Sequence, residues 1–128
     1  MRHGHLQEAA VHLTFRPSSR RTGAAVQASD LIAVTPEGLY CAGGGFFIDP
    51  PRPVARALIT HGHADHARPG HGAVLATRET LAIMAARYGR DHAGAVEAIG
   101  YGERRRIGDV TVSFHPAGHV LGSAQILI

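Results

Sequence analysis

Four residues able to hold a metal ion crowd into six positions, His61-Gly62-His63-Ala64-Asp65-His66. Imidazole is the commonest protein metal ligand, binding through either ring nitrogen. On an extended segment His61 and His63, two apart, project to the same side and can share one ion. Asp65 and His66 follow, supplying an oxygen and a nitrogen to a second nearby position. Gly62 and Ala64 keep the intervening side chains small, so the backbone can close around the ions. A further histidine stands in Pro116-Ala117-Gly118-His119-Val120-Leu121-Gly122-Ser123-Ala124, where flanking glycines put it on a tight loop. His61, His63 and His119 make a three-nitrogen set that leaves the fourth position open for water, as hydrolytic zinc requires. Two ions ~3.5–4 Å apart would clamp an activated water and an anionic substrate between them. The competing readings are a His-rich surface loop, core histidines satisfied by backbone, and a single structural zinc. The last lacks cysteines, since Cys41 stands alone and reads as a core residue. His115 has no ligand spacing and reads as structural.

These residues need strands to carry them. Short apolar runs between glycines and prolines predict strands over Leu31–Thr35, Leu39–Cys41, Phe46–Ile48 and Ala57–Thr60, the last running into the histidine cluster. Ala73–Ala76 predicts another. Thr77 is the expected N-cap of a helix over Arg78–Tyr88, with Leu81, Met84, Ala85 and Tyr88 on one face and Gly89 as its stop. A weaker helix is expected between Asp91 and Ala98. Glu103–Ile107 and Val110–Phe114 flank Gly108-Asp109 as a hairpin, and Ala124–Ile128 opens a further strand. Strands mixed with one good helix predict a layered α/β or α+β arrangement.

Composition bounds the rest. The 128 residues hold 13 Arg and no Lys against 10 acidic residues, 10 His and one Cys, for a formal charge of +3. At 45% hydrophobic and 18% charged the chain is neither disordered nor fibrous. A lone cysteine excludes an internal disulfide framework. No apolar run is long enough to cross a membrane as a helix, and a cytoplasmic setting is expected. Residues 1–29, rich in Arg and Ser, read as a disordered leader, with His3, His5 and His12 solvated. Residues 30–128 read as the folded part. Ala124–Ile128 has no cap or polar tail, an ending expected of a fragment.

His61-x-His63-x-Asp65-His66 after a short apolar strand resembles the second motif of the metallo-β-lactamase fold. Asp49, closing Phe46–Ile48, resembles the first motif, and Gly118-His119-Val120-Leu121-Gly122-Ser123 resembles the third in its β-CASP nuclease form. The stretches Thr35–Cys41, Phe46–Pro50, Ala57–Arg68 and Ala76–Thr80 are similar to bacterial ligase-associated DNA exonucleases, grouped by name with mRNA 3′-end processing factors. The similarity runs over residues 30–128. Members carry an acidic residue just before the aromatic strand, where Gly43-Gly44-Gly45 stands here, so no role for that acid carries over. The later motifs, among them an aspartate bridging the two metals, and the inserted β-CASP domain are not in this sequence.

The resemblance implies the N-terminal half of an αββα sandwich and a metal-dependent nuclease hydrolysing phosphodiester bonds. Zinc would sit at two positions, with His61, His63 and His119 on the first and Asp65 and His66 on the second; manganese also suits the more oxygen-rich second position. The nucleophile would be a water activated there, with Asp65 at the reaction centre and Asp49 supporting the loop from behind. DNA is the favoured substrate, with DNA ligase and helicase as implied partners. The alternatives are an RNA 3′-end nuclease of the same branch and an inactive metal-binding module. Arg68 and the Arg104–Arg106 run are candidates for phosphate contact, although charge runs are usually solvated faces.

Overall fold

The computed structural model describes residues 25–128; the leader reading, up to residue 24, and the histidines in it lie outside them. The elements are helix α1 (Ala28–Leu31) and strands β1 (Ala33–Thr35), β2 (Gly38–Cys41), β3 (Phe46–Ile48), β4 (Arg56–Leu58) and β5 (His71–Ala76). Helix α2 (Arg78–Tyr88) and strands β6 (Ala93–Ala98), β7 (Arg104–Ile107), β8 (Val110–Pro116) and β9 (Ala124–Leu127) follow. The class is α+β. A six-stranded sheet has the order β1-β2-β3-β4-β5-β6, antiparallel from β1 to β3 and parallel from β3 to β6. A second, antiparallel sheet has the order β7-β8-β9.

Strand periodicity explains why the large sheet carries a layer on each face. Successive side chains point to opposite sides, so Leu58 and Leu75 enter one core while Ala57, Ile59, Val74 and Ala76 enter another. The first core lies between the sheets, where Cys41, Phe46, Leu58 and Leu75 meet Ile107, Val112, Phe114 and Ala124. The second lies under α2, around Met84 with Leu81 and Tyr88 packed against it. Fully burying side chains such as Leu58, Phe114 and Met84 contributes about 1.5–3 kcal/mol each. Cys41 is fully buried, as its core reading expects.

The helix over Arg78–Tyr88 has the boundaries its sequence predicts, with Thr77 accepting the Thr80 N–H at its start and Gly89 at its end. The hairpin around Gly108-Asp109 also forms. Two expectations are corrected. The segment Asp91–Ala98 is not helical; Ala93–Ala98 is an edge strand registered on β5 from His71↔Ala93 to Ala76↔Ala98. The open backbone edge of β5 offers a ladder of hydrogen bonds that outweighs the weak local helix preference. The strand expected over Leu31–Thr35 is shortened by α1, where the Gln27 N–H donates to Asp30 Oδ2 at 2.9 Å. Among the described residues no helix is long and apolar enough to cross a membrane.

Candidate metal centre

The candidate ligands sit beyond the carboxyl ends of β3 and β4 and on the loop between β8 and β9. Ligands of open α/β sheets gather at the carboxyl ends of their strands. Asp49 closes β3 with φ at +44°, an uncommon conformation that a short polar side chain tolerates. Its carboxylate turns onto the end of β4. The Thr60 N–H donates to Asp49 Oδ1 at 2.8 Å and the Thr60 hydroxyl to Oδ2 at 2.5 Å. His66 Nδ1 lies 2.9 Å from the same Oδ2, and Thr60 Oγ1 lies 2.8 Å from His61 Nδ1. The chain between them makes one turn, closed by the His66 and Ala67 N–H groups donating to the His63 carbonyl.

His61, His63 and His119 stand as a tripod. Their ring centroids are 5.0, 4.9 and 4.8 Å apart, with rings inclined at 73–81° to one another. One ligand nitrogen from each lies within 4.8 Å of the other two. His63 Nδ1 and His119 Nε2 are separated by 3.2 Å. A tetrahedral zinc with bonds of about 2.0–2.1 Å holds neighbouring nitrogens about 3.3–3.4 Å apart, so these two atoms are already at ligand spacing. Asp65 Oδ2 is 3.5 Å from His66 Nε2 at an exposed edge. Asp49, His61 and His66 form another close acidic–imidazole group. There the Nδ1 atoms are engaged by Asp49 and Thr60, which makes Asp49 a support for the rings. Burial, then the neighbouring His66, hold the His61 ring below its ordinary pKa, so its lone pair is free at neutral pH.

Helix α2 grips both loops that carry candidate ligands. Near its C-terminus Arg87 Nη1 donates to the Gly62 carbonyl at 2.8 Å. At its N-terminus the Thr77 and Thr80 hydroxyls donate to the Gly122 carbonyl at 2.7 and 3.3 Å. Both glycines are required by close approach. A Cβ on Gly62 would stand 2.8 Å from Ile83 Cγ2. One on Gly122, whose φ is +78°, would stand 2.6 Å from Glu79 Cβ and 3.0 Å from the Thr80 backbone nitrogen. Ser123 completes the loop, its hydroxyl accepting the His119 N–H at 3.0 Å.

The remaining candidates make no side-chain hydrogen bond or ion pair with these residues among the described ones. Arg68 is exposed and makes no ion pair or hydrogen bond among the described residues. Register divides the Arg104–Arg106 run: Arg105 pairs with Glu97 and Glu103, while Arg104 and Arg106 are exposed on the opposite face. His115 contacts the Ser113 hydroxyl at 2.9 Å, in keeping with a structural role. Sequence reasoning missed Thr60, Thr77, Thr80 and Arg87 as parts of the centre. Only Thr60, a hydrogen-bonding residue next to a ligand, left a local signal.

No protein-family model matches the sequence. The chain is similar to a protein of Opitutus terrae named as a probable DNA ligase, at 36% identity over 92 residues. Those residues are 71% of this chain and 9% of that protein, so the similarity concerns a small part of the longer relative.

Proposed function

We propose that residues 30–128 are the first part of a metallo-β-lactamase-type nuclease domain of the β-CASP branch, hydrolysing phosphodiester bonds in DNA. The observation that carries this reading is the tripod of His61, His63 and His119 with the Asp65–His66 pair beside it. The donor set is nitrogen with one carboxylate, which suits zinc at two neighbouring positions. The name of the Opitutus terrae protein and the resemblance to ligase-associated exonucleases support DNA as substrate and a DNA ligase as functional partner.

When bound, such ions lower the pKa of water and offset the charge that builds on a phosphate under attack. The chain's own residues prepare the place. His61, His63 and His119 supply three nitrogens and leave one side of the first position open toward solvent. Asp65 and His66 offer an oxygen and a nitrogen at the second. Asp49 and Thr60 hold two of the rings by their Nδ1 atoms. The exposure of His63, Asp65 and His119 leaves room for an extended strand to reach the site.

The test is zinc titration with elemental analysis of the purified chain, beside its His63→Ala variant. One tightly held ion per chain, lost in the variant, is expected, because the first position has three ligands and the second only two. Equal zinc content in both proteins refutes the site. The chemical arm takes the longest product of the coding region and follows release of labelled nucleotides from single-stranded DNA and RNA of equal sequence, with and without chelator. Chelator-sensitive release favouring DNA is expected. Preference for RNA overturns the substrate, and chelator-insensitive release overturns the mechanism.

A further inference from the structure

We infer that Thr60 is a positioning residue that sets the tautomer of His61, so that one hydroxyl–carboxylate relay prepares a ring for each metal position. The inference rests on the metal-centre reading and follows from proton bookkeeping. Thr60 Oγ1 has one proton, and at 2.5 Å from Asp49 Oδ2 that proton goes to the carboxylate. The oxygen can then only accept from its other neighbour, His61 Nδ1, 2.8 Å away. His61 therefore carries its proton on Nδ1, and its bare lone pair is on Nε2. The same carboxylate oxygen accepts from His66 Nδ1 at 2.9 Å, which in a neutral ring leaves Nε2 as the bare nitrogen.

Asp49 and Thr60 thus act on both positions at once. Their geometry is fixed by backbone, because the Thr60 N–H donates to Asp49 Oδ1 at 2.8 Å and the Asp49 N–H to the Leu58 carbonyl at 3.0 Å. Asp49 holds this arrangement with its φ at +44°. Such a conformation carries a free-energy penalty and persists where its surroundings over-determine it; three hydrogen bonds to one carboxylate do so here. His63 stands outside the relay, presenting Nδ1 toward His119. His61 and His63 would therefore meet an ion through different ring nitrogens, and only His61 depends on Thr60.

The experiment compares Thr60→Val, which keeps the shape and removes the hydroxyl, with Thr60→Ser, which restores it. Zinc affinity of the full chain should fall about 10- to 100-fold in Thr60→Val, the range for loss of a ligand's outer partner, and return in Thr60→Ser. Nitrogen-15 spectra of the zinc-free protein give a readout that a merely structural role would not move. His61 should be protonated at Nδ1 in the unaltered chain and in Thr60→Ser, and should redistribute toward Nε2 in Thr60→Val. Protonation of His61 at Nε2 in the unaltered chain overturns the inference even if Thr60→Val fails to fold. A chain that binds zinc equally well with and without the hydroxyl overturns it alone, whereas an unaltered chain that binds no zinc overturns the metal-centre reading beneath it.

Discussion

Replacing Gly122 by alanine should damage the His119 loop far more than the same change at Gly102, although the two residues have nearly the same φ. Their φ values are +78° and +77°, so both variants carry the same left-handed strain, about 1–2 kcal/mol. A Cβ on Gly102 meets nothing within 4 Å, and strain is its whole cost. At Gly122 the new atom would lie 2.6 Å from Glu79 Cβ, 2.7 Å from Thr77 Oγ1 and 3.0 Å from the Thr80 nitrogen. Two of these contacts belong to the first turn of α2, which cannot recede without unravelling, so the loop must move. Its movement breaks the Thr77 and Thr80 bonds to the Gly122 carbonyl, each worth about 0.5–1.5 kcal/mol. The total is about 2–5 kcal/mol, against about 1–2 kcal/mol at Gly102. For a domain of this size each kcal/mol moves the melting midpoint by about 4–8 °C. Thermal melts of the two variants measure the difference directly. Zinc titration adds the functional side, with affinity reduced about tenfold or more in Gly122→Ala and unchanged in Gly102→Ala. Equal melting shifts, or undiminished zinc affinity in Gly122→Ala, would refute the claim that α2 sets the position of His119.

Two further outcomes follow from the packing. Gly62→Ala should destabilise the protein by about 1–3 kcal/mol through overpacking against Ile83, and Ile83→Ala in the same chain should recover part of that loss; strictly additive denaturation midpoints would count against the contact. His71 is buried, its Nδ1 accepts the Val54 N–H at 3.2 Å, and burial, then His92, hold its pKa below 6.5. A histidine with a depressed folded pKa leaves the unfolded state binding more protons, so its contribution to stability is present above pH 6.5 and declines as pH falls through that value. His71→Asn keeps an acceptor for Val54 and removes the titration, so stability should depend less on pH below 6.5; an unchanged acid profile would exclude His71 as its source.

The parts of the centre legible in the sequence are those whose residue types are rare elsewhere. His61, His63, Asp65 and His66 announced themselves by crowding, and His119 by the glycines around it; the structure brings the three expected first-position histidines together. Asp49 was legible only through a resemblance, because one aspartate after a strand has no distinctive spacing. Thr77 was read as a helix cap, which it is, but its second bond to Gly122 spans 45 positions and leaves no local trace. Arg87 and Gly62 are likewise joined only by the fold. In the scaffold, Phe46–Ile48 and the β7–β8 hairpin were legible from aromatic and branched residues and a Gly-Asp turn. Ala93–Ala98 was not, because alanine and glycine prefer strands only when a neighbour offers an open edge.

The grip of α2 on two loops from opposite ends has a thermodynamic consequence. Segments tied into one cooperative unit open together, with a single free energy of local unfolding. Any ion held jointly by His61, His63 and His119 is then bound by a unit that includes the helix, and occupancy must lower the frequency with which that helix opens. Amide exchange along Leu81–Tyr88, far from any candidate ligand in sequence, would then gauge occupancy at the candidate metal position. The coupling runs in both directions: a substitution that loosens α2 on its solvent face weakens the ion's hold without touching a ligand.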